Sequence, residues 1–596
     1  MSAKIDPTTA ESDPAWLSAF DARTDLSAFG PNAIALFALA LRFNLEDLVT
    51  VAAESITDGG DDKKTDLIYI DKDSGLAVVI QAYFSKSDKP KKAAPSNKAA
   101  TLSTAMSWVL LTDLNELPDN IRFSASELRQ GLLSGEITRL QIWYVHNCPE
   151  SKNVADEMRN VEQTTNAALK TIGAKEVSVA ALEVGRGKFT EWYTETQSPI
   201  LVNDEFEVLV DEGFLEKGPH WDAYVTSVPL QFLRSQYLKH NVKLFSANVR
   251  DYLGSISSDA NINNGIKRTA ESEPLNFWPY NNGLTILVNS VVPQRLKNQK
   301  IRLKISGMSI VNGAQTTGAL ASLNTAPLKE AKVSVRFIKT DDGEILYNII
   351  RYNNSQNKVA AADFRSTDQI QKRLRKDMDV IPNAQYDGGR RGGPTDAIKR
   401  RPNMIPAYTV GQALAAMHGD ATVAYNQKSD IWSNDSLYTR YFNDQTTAAH
   451  IVFAYSLLRS VEDRKNKLLV KSRQEPEEMT ESEETQLAFF RRRGSTFLFV
   501  TAMASCLEII LGKKIPNRFR LSFGTKTAPA KAKQHWDELV EAHLPFSTHL
   551  EDAFTYGLQN QERLKKAVAT FTSLVEVTAK SNRPLYQKFA KAVFTK

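Results

Sequence analysis

The sequence predicts a mixed α/β protein of several domains that closes on an all-helical part. Three observations predict this. A chain of 596 residues exceeds what one hydrophobic core holds, at ~100 to 200 residues per domain. Between Phe277 and Asp368, the runs FWPYNNGLTILVNS, ISGMSIVNGAQTTGAL and VSVRFIKT are apolar and β-branched, and the polar clusters beside them are rich in Asn, Gly, Gln and Thr. That is the pattern of buried strands delivering polar side chains to a sheet end. From Pro406 onward the apolar residues change to helical spacing.

Composition narrows the class. Apolar residues make up 42% and charged residues 24%, as in ordinary globular chains. The net charge of +5 is too small for a histone-like binder, so contact with nucleic acid has to come from local patches. Cys148 and Cys506 have no partners at metal-ligand spacing, which points to a reducing, cytoplasmic setting without a disulfide framework or a zinc site. The histidines do not cluster at ligand spacing, and no P-loop lysine, G-x-S-x-G or kinase motif set is present. Residues 1–30 read as a tail, and the apolar run Ser495 to Leu511 as a core helix, short of the ~20 residues of a membrane span.

A first domain is expected over 31–198. Ala33 to Ile56 fits one or two helices, DGGDDKKTD a turn, and DLIYID with GLAVVIQAYFS a β-hairpin. A helix near Ala100 to Leu111, a strand at Leu140 to His146, a helix at Val154 to Ile172 and a strand at Glu176 to Val184 follow, in the order of a right-handed crossover within a mixed sheet. Helix, acidic turn and hairpin place Glu54 on a helix, Asp66 at the head of one strand and Gln81 near the end of the next.

This order resembles the core of the PD-(D/E)XK nucleases, especially the Mrr-like restriction branch, with its GG-x-D strand followed by a Q-x-K strand. The resemblance implies a restriction-endonuclease-like α/β domain, with Asp66 as metal-binding Asp, Gln81 at the second-strand position and Glu54 as a further ligand for Mg²⁺. The chain departs from the pattern at the lysine, where Tyr83 stands. Tyr83 is neutral at working pH, so Lys86 or a lysine of the basic loop up to Lys98 has to supply the charge, or the domain binds without cutting. A solvated surface hairpin is the alternative reading.

The central domain is expected over 199–402. Its amide-rich clusters, Asn281, Asn282, Gly283, Asn312, Gly313, Gln315, Thr316, Asn353, Asn354, Gln356 and Asn357, fit two readings: binding of phosphates, a nucleotide or polar backbone, or a hydrogen-bond network that satisfies loop backbone. LFSANVRDYLG, FWPYNNGLTI, IVNGAQTTGAL and NNSQNKV…DFRSTDQIQ, in this order, resemble the AIPR family, abortive infection phage resistance proteins of bacteria. Asn248 and Arg250 join the matching residues. The resemblance implies an antiphage protein, often with a nuclease-like amino-terminal part. A weaker likeness, to the ParB-like nucleotide-binding layout, lacks that layout's Arg at Thr316, with Arg336, Arg351 or Arg365 as stand-ins.

Arg390, Arg391, Lys399, Arg400 and Arg401 sit among glycines and prolines, a flexible basic loop that fits two readings: phosphate-backbone contact, or a disordered surface excursion. A helical domain is expected over 403–596, with Gln474 to Glu484 as an acidic surface linker. The expected function is a phage-defence effector that binds nucleic acid, DNA foremost, and cleaves it with Mg²⁺. The rival is a non-enzymatic sensor, triggered by a nucleotide or phage component, whose nuclease-like domain is degenerate. No membrane partner is expected, and self-association is left open.

Overall fold

The structure, a computed structural model, describes residues 14–57, 59, 61–85, 90, 92–174, 176–197, 200, 202–245, 260–297, 299–323, 325–328, 330–353, 365–366, 368–388, 403–555 and 557–595. Lys86, Asn248, Arg250, Asn354, Gln356, Asn357 and the basic loop residues Arg390, Arg391, Lys399, Arg400 and Arg401 lie outside the described residues.

The chain folds as mixed α/β followed by helix, as expected. The first part opens with α1 (Ala15–Asp21), α2 (Ala33–Phe43) and α3 (Leu48–Ser55), then β1 (Leu67–Asp71) and β2 (Leu76–Tyr83). The two strands pair antiparallel, Leu67 opposite Ile80 and Asp71 opposite Leu76. Helices α4 (Ser96–Leu111) and α5 (Asp119–Ser134) lead to β3 (Arg139–His146), parallel to β2. Helix α6 (Lys152–Thr171) leads to β4 (Ser178–Val184), parallel to β3, and α7 (Arg186–Gln197) closes the unit. The sheet order is β1-β2-β3-β4.

Sequence explains why this sheet is covered on both faces. In β2, Val78 and Ile80 pack with α2 and α7, while Ala77 and Val79 pack with α4, α5 and α6, so the strand is a continuous apolar run and not an alternating one. Thr24–Phe43 is long and apolar enough, by length and composition, to cross a membrane; within the fold, Ile34 through Ala40 are buried core.

The second sheet has seven strands: β5 (Val202–Val210), β6 (Gly213–Gly218), β7 (Trp221–Pro229), β8 (Leu284–Leu287), β9 (Ser290–Arg295), β10 (Ile301–Asn312) and β11 (Lys332–Thr340). The order is β5-β10-β8-β11-β7-β6, with β9 on β10. One face packs on α8 (Leu230–His240) and the helix Ala314–Ala321; the other is partly covered by the helix Gly343–Asn353 around Ala223, Leu287, Val311 and Ile338.

The helical body takes Leu374, Met378 and Ile381 into the same core as the helices from Ala407 onward. Its long helix is Ala448–Gln474. Gln474 to Glu484 is not merely a linker: Thr480 and Glu483 form a capping box that starts the helix Glu481–Arg491. Ser495 to Leu511 is buried as expected, in two helices that meet at Cys506.

A polar row on the central sheet and the upstream acidic site

Register builds the central site. β8 runs antiparallel to β10 and parallel to β11, which sets Thr285 opposite Asn312 on one side and Arg336 on the other. The Thr285 hydroxyl donates to Asn353 Oδ1 at 2.9 Å, and Arg336 Nη2 donates to Thr285 Oγ1 at 2.6 Å and to Asn353 Oδ1 at 2.9 Å. Asn353 Nδ2 donates to the Ile349 carbonyl, which aims the amide oxygen at the guanidinium. Thr285 is fully buried and Arg336 is exposed. Among the described residues no carboxylate pairs with Arg336, so its charge is held by neutral oxygens and part of its fork stays open.

The neighbouring amides and glycines shape the backbone. The Gly283 N–H donates to Asn281 Oδ1 at 3.0 Å, and Asn281 Nδ2 donates to Thr316 Oγ1 at 3.2 Å. Gly283 has φ +81°, and a Cβ there would stand 2.9 Å from the Ser334 carbonyl oxygen. Asn281, Gly283, Gly313 and Thr316 are thereby turn and packing residues at the sheet end, whereas Asn282 and Asn312 are exposed and Gln315 is half-buried. Sequence reasoning missed Thr285, which only the register joins to Arg336, and Trp278, whose Nε1 donates to Ser227 Oγ at 2.9 Å on the same sheet face. Of the other proposed stand-ins, Arg365 is spoken for: it pairs with Asp435 and Asp368 and lies over Tyr438.

Upstream, Asp66 and Gln81 share one end of the first sheet. Asp66 Oδ2 accepts the Ala82 N–H at 2.6 Å, and Gln81, 5% exposed, accepts from Thr101 of α4 at 3.4 Å. Lys98 in the first turn of α4 lies over the Tyr83 ring, 4.8 Å from its centroid. Glu54 does not join them in a ligand set. Its carboxylate accepts the Gly494 N–H at 2.9 Å and the Thr496 hydroxyl at 3.1 Å, with Lys465 at 3.6 Å, all from the helical body. Among the described residues no group of three His, Cys, Asp or Glu could hold a metal. Mg²⁺ takes near-octahedral oxygen ligation, and among the described residues this sheet end offers it the Asp66 carboxylate beside the buried Gln81 amide.

Glu54 belongs to a contact in which the first domain supplies acids to bases of the helical body, with Glu462 of the helical body as a further acid that accepts from the Thr50 hydroxyl at 2.8 Å. Arg493 pairs with Glu127 at 2.6 Å and donates to the Glu54 carbonyl at 2.7 Å; Lys428 pairs with Asp71 at 3.3 Å; Arg459 pairs with Asp47. Burial works to raise the Asp47 carboxyl, but Arg459, Thr409 and the Thr50 amide outweigh it and hold it below the ordinary value. Burial, with Asp47 nearby and only partly offset by Arg459, pushes Glu462 up to about 7. His418 and His450, solitary in sequence, meet with their Nε2 atoms 3.0 Å apart; burial pushes them down to about 3 and about 4, so both are neutral at pH 7.

Fold and site together define a multidomain α/β protein with a polar row on its central sheet and a helical body clasping its first domain. The family model described as AIPR protein matches residues 245–486, the span that holds Thr285, Asn312, Arg336 and Asn353, and the match supports the AIPR family for this part of the chain. A search of curated proteins and a search of solved structures each found no match.

Proposed function

We propose that this chain is a phage-defence protein whose central domain recognises a phosphate-bearing ligand, nucleic acid or nucleotide, at the polar row. The AIPR match supports the defence role. The observation that carries the ligand class is Arg336: a guanidinium held in place by Thr285 and Asn353, with no carboxylate against it among the described residues. Such a fork is pre-oriented by neutral oxygens, which suits a phosphate oxygen pair. Fluorescence anisotropy with labelled oligonucleotides tests this. Arg336→Ala should weaken binding by roughly tenfold or more, the size of a lost charge-assisted hydrogen bond; unchanged affinity removes the row from recognition.

A second reading, cleavage of nucleic acid by the first domain, has one observation in its favour: Lys98 lies over Tyr83 at the sheet end that holds Asp66 and Gln81, the place where the resemblance puts a lysine. The same oligonucleotides incubated with Mg²⁺ decide it. Degradation that Asp66→Ala abolishes establishes cleavage, and intact substrate at millimolar Mg²⁺ leaves the recognition protein alone.

A further inference from the structure

The four-residue helix Phe277–Tyr280 points its side chains two ways. Phe277 is 1% exposed and anchors the turn in the central core, while Trp278 and Tyr280 are 50% and 66% exposed. Trp278 is pinned nonetheless, because its Nε1 donates to Ser227 Oγ at 2.9 Å. Ser227 of β7 pairs with Ser334 of β11, two residues before Arg336, and Val225 pairs with Arg336. Residues two apart on a strand share a face and are separated by about 6.6 Å. The indole therefore stands on the same face as the guanidinium, one side-chain row away. Among the described residues no aromatic ring or cation lies on it.

A fixed, half-open indole beside a guanidinium that meets no carboxylate among the described residues is a complementary pair for one kind of ligand. The ring offers a flat apolar face to a base, and the fork offers donors to the phosphate across the sugar. We infer that the polar row binds a nucleoside phosphate with its base stacked on Trp278 and its phosphate on Arg336. This rests on the reading of Arg336 as a phosphate contact. It sharpens that reading in one respect: bases in a duplex are already stacked on one another, so the site takes free nucleotides or unpaired strands and discriminates against duplex.

The test measures binding of a labelled single-stranded oligonucleotide, its duplex, a nucleoside triphosphate and inorganic pyrophosphate to the full chain and to Trp278→Ala, Trp278→Phe and Arg336→Ala. Expected are a preference for the single strand over the duplex, and a loss of about tenfold to a hundredfold for the single strand in Trp278→Ala. Trp278→Phe should keep most of the affinity, and pyrophosphate binding should be unmoved by either Trp278 change but lost in Arg336→Ala. The triphosphate arm separates a free nucleotide from a strand as the source. Single-strand affinity that survives Trp278→Ala, or duplex bound as tightly as single strand, overturns the stacking inference while Arg336 dependence keeps the phosphate reading. Affinity indifferent to both residues overturns the two together.

Discussion

Gly313 sits at φ +104°, and a Cβ on it would meet the Cγ of the buried Leu284 at 2.4 Å. It is the turn between β10 and the helix Ala314–Ala321, and it needs both the left-handed backbone and the empty volume. Gly313→Ala should cost about 2–4 kcal/mol, backbone strain plus overpacking against Leu284, measured as a shift in the urea midpoint. Residues of this kind were legible in the sequence, because Asn and Gly clusters mark positions of special backbone geometry. Arg336 was legible only as one of three arginines. Which of them meets the row depends on strand register, and Arg365 is drawn instead to Asp435 and Tyr438 in the helical body.

Among the elements, the helix Ser495–Ser505 has Gly494 at its N-cap and no side-chain cap of its own. Glu54 of α3 does the capping from another domain, accepting the Gly494 N–H and the Thr496 hydroxyl and placing a negative charge at the positive helix end. Glu54→Ala should lower stability by about 2–4 kcal/mol, since it uncaps the helix and leaves Lys465, itself buried, without its partner; calorimetry of the full chain measures it. An unaltered melting temperature would mean that the contact carries no energy. Glu54 reads as a metal ligand in sequence because its local setting, an acid before a Gly-Asp turn, is all that a local pattern offers. Its partners lie hundreds of residues away. The hairpin and the crossover strands, by contrast, are local and were legible, whereas the Thr480-x-x-Glu483 start signal was hidden within an acidic run that reads as a linker.

For the whole molecule, the carboxyls buried where the first domain meets the helical body set a pH dependence. Glu462 has its folded pKa raised to about 7, so between the ordinary carboxylate range and that value the folded chain holds a proton the unfolded chain has released. Its contribution to stability is therefore greatest below this window and is lost as pH rises through about 7. Asp47 works the other way: held below its ordinary value, it stabilises at higher pH and loses that effect as the medium becomes acid. Glu462→Gln mimics the protonated form and should gain up to about 3 kcal/mol on the natural chain at pH 8, with little difference at pH 5. Denaturant titrations at the two pH values measure the gain; a difference that does not change with pH would mean that Glu462 titrates normally.

The same contact bears on how the chain is made. Glu54 and Arg493 are 439 positions apart, which at roughly 5–20 residues per second is about 20 to 90 seconds of ribosome time. Through that interval the nascent first domain carries Asp47, Glu54 and Asp71 without the cations of the helical body that will pair with them, and Glu127 with Lys72 of its own domain as its cation. The last third of the polypeptide thus acts as a built-in counterion that arrives late, and a message truncated before Lys428 would yield a first domain that stays acidic on the face meant for its own carboxy-terminal body.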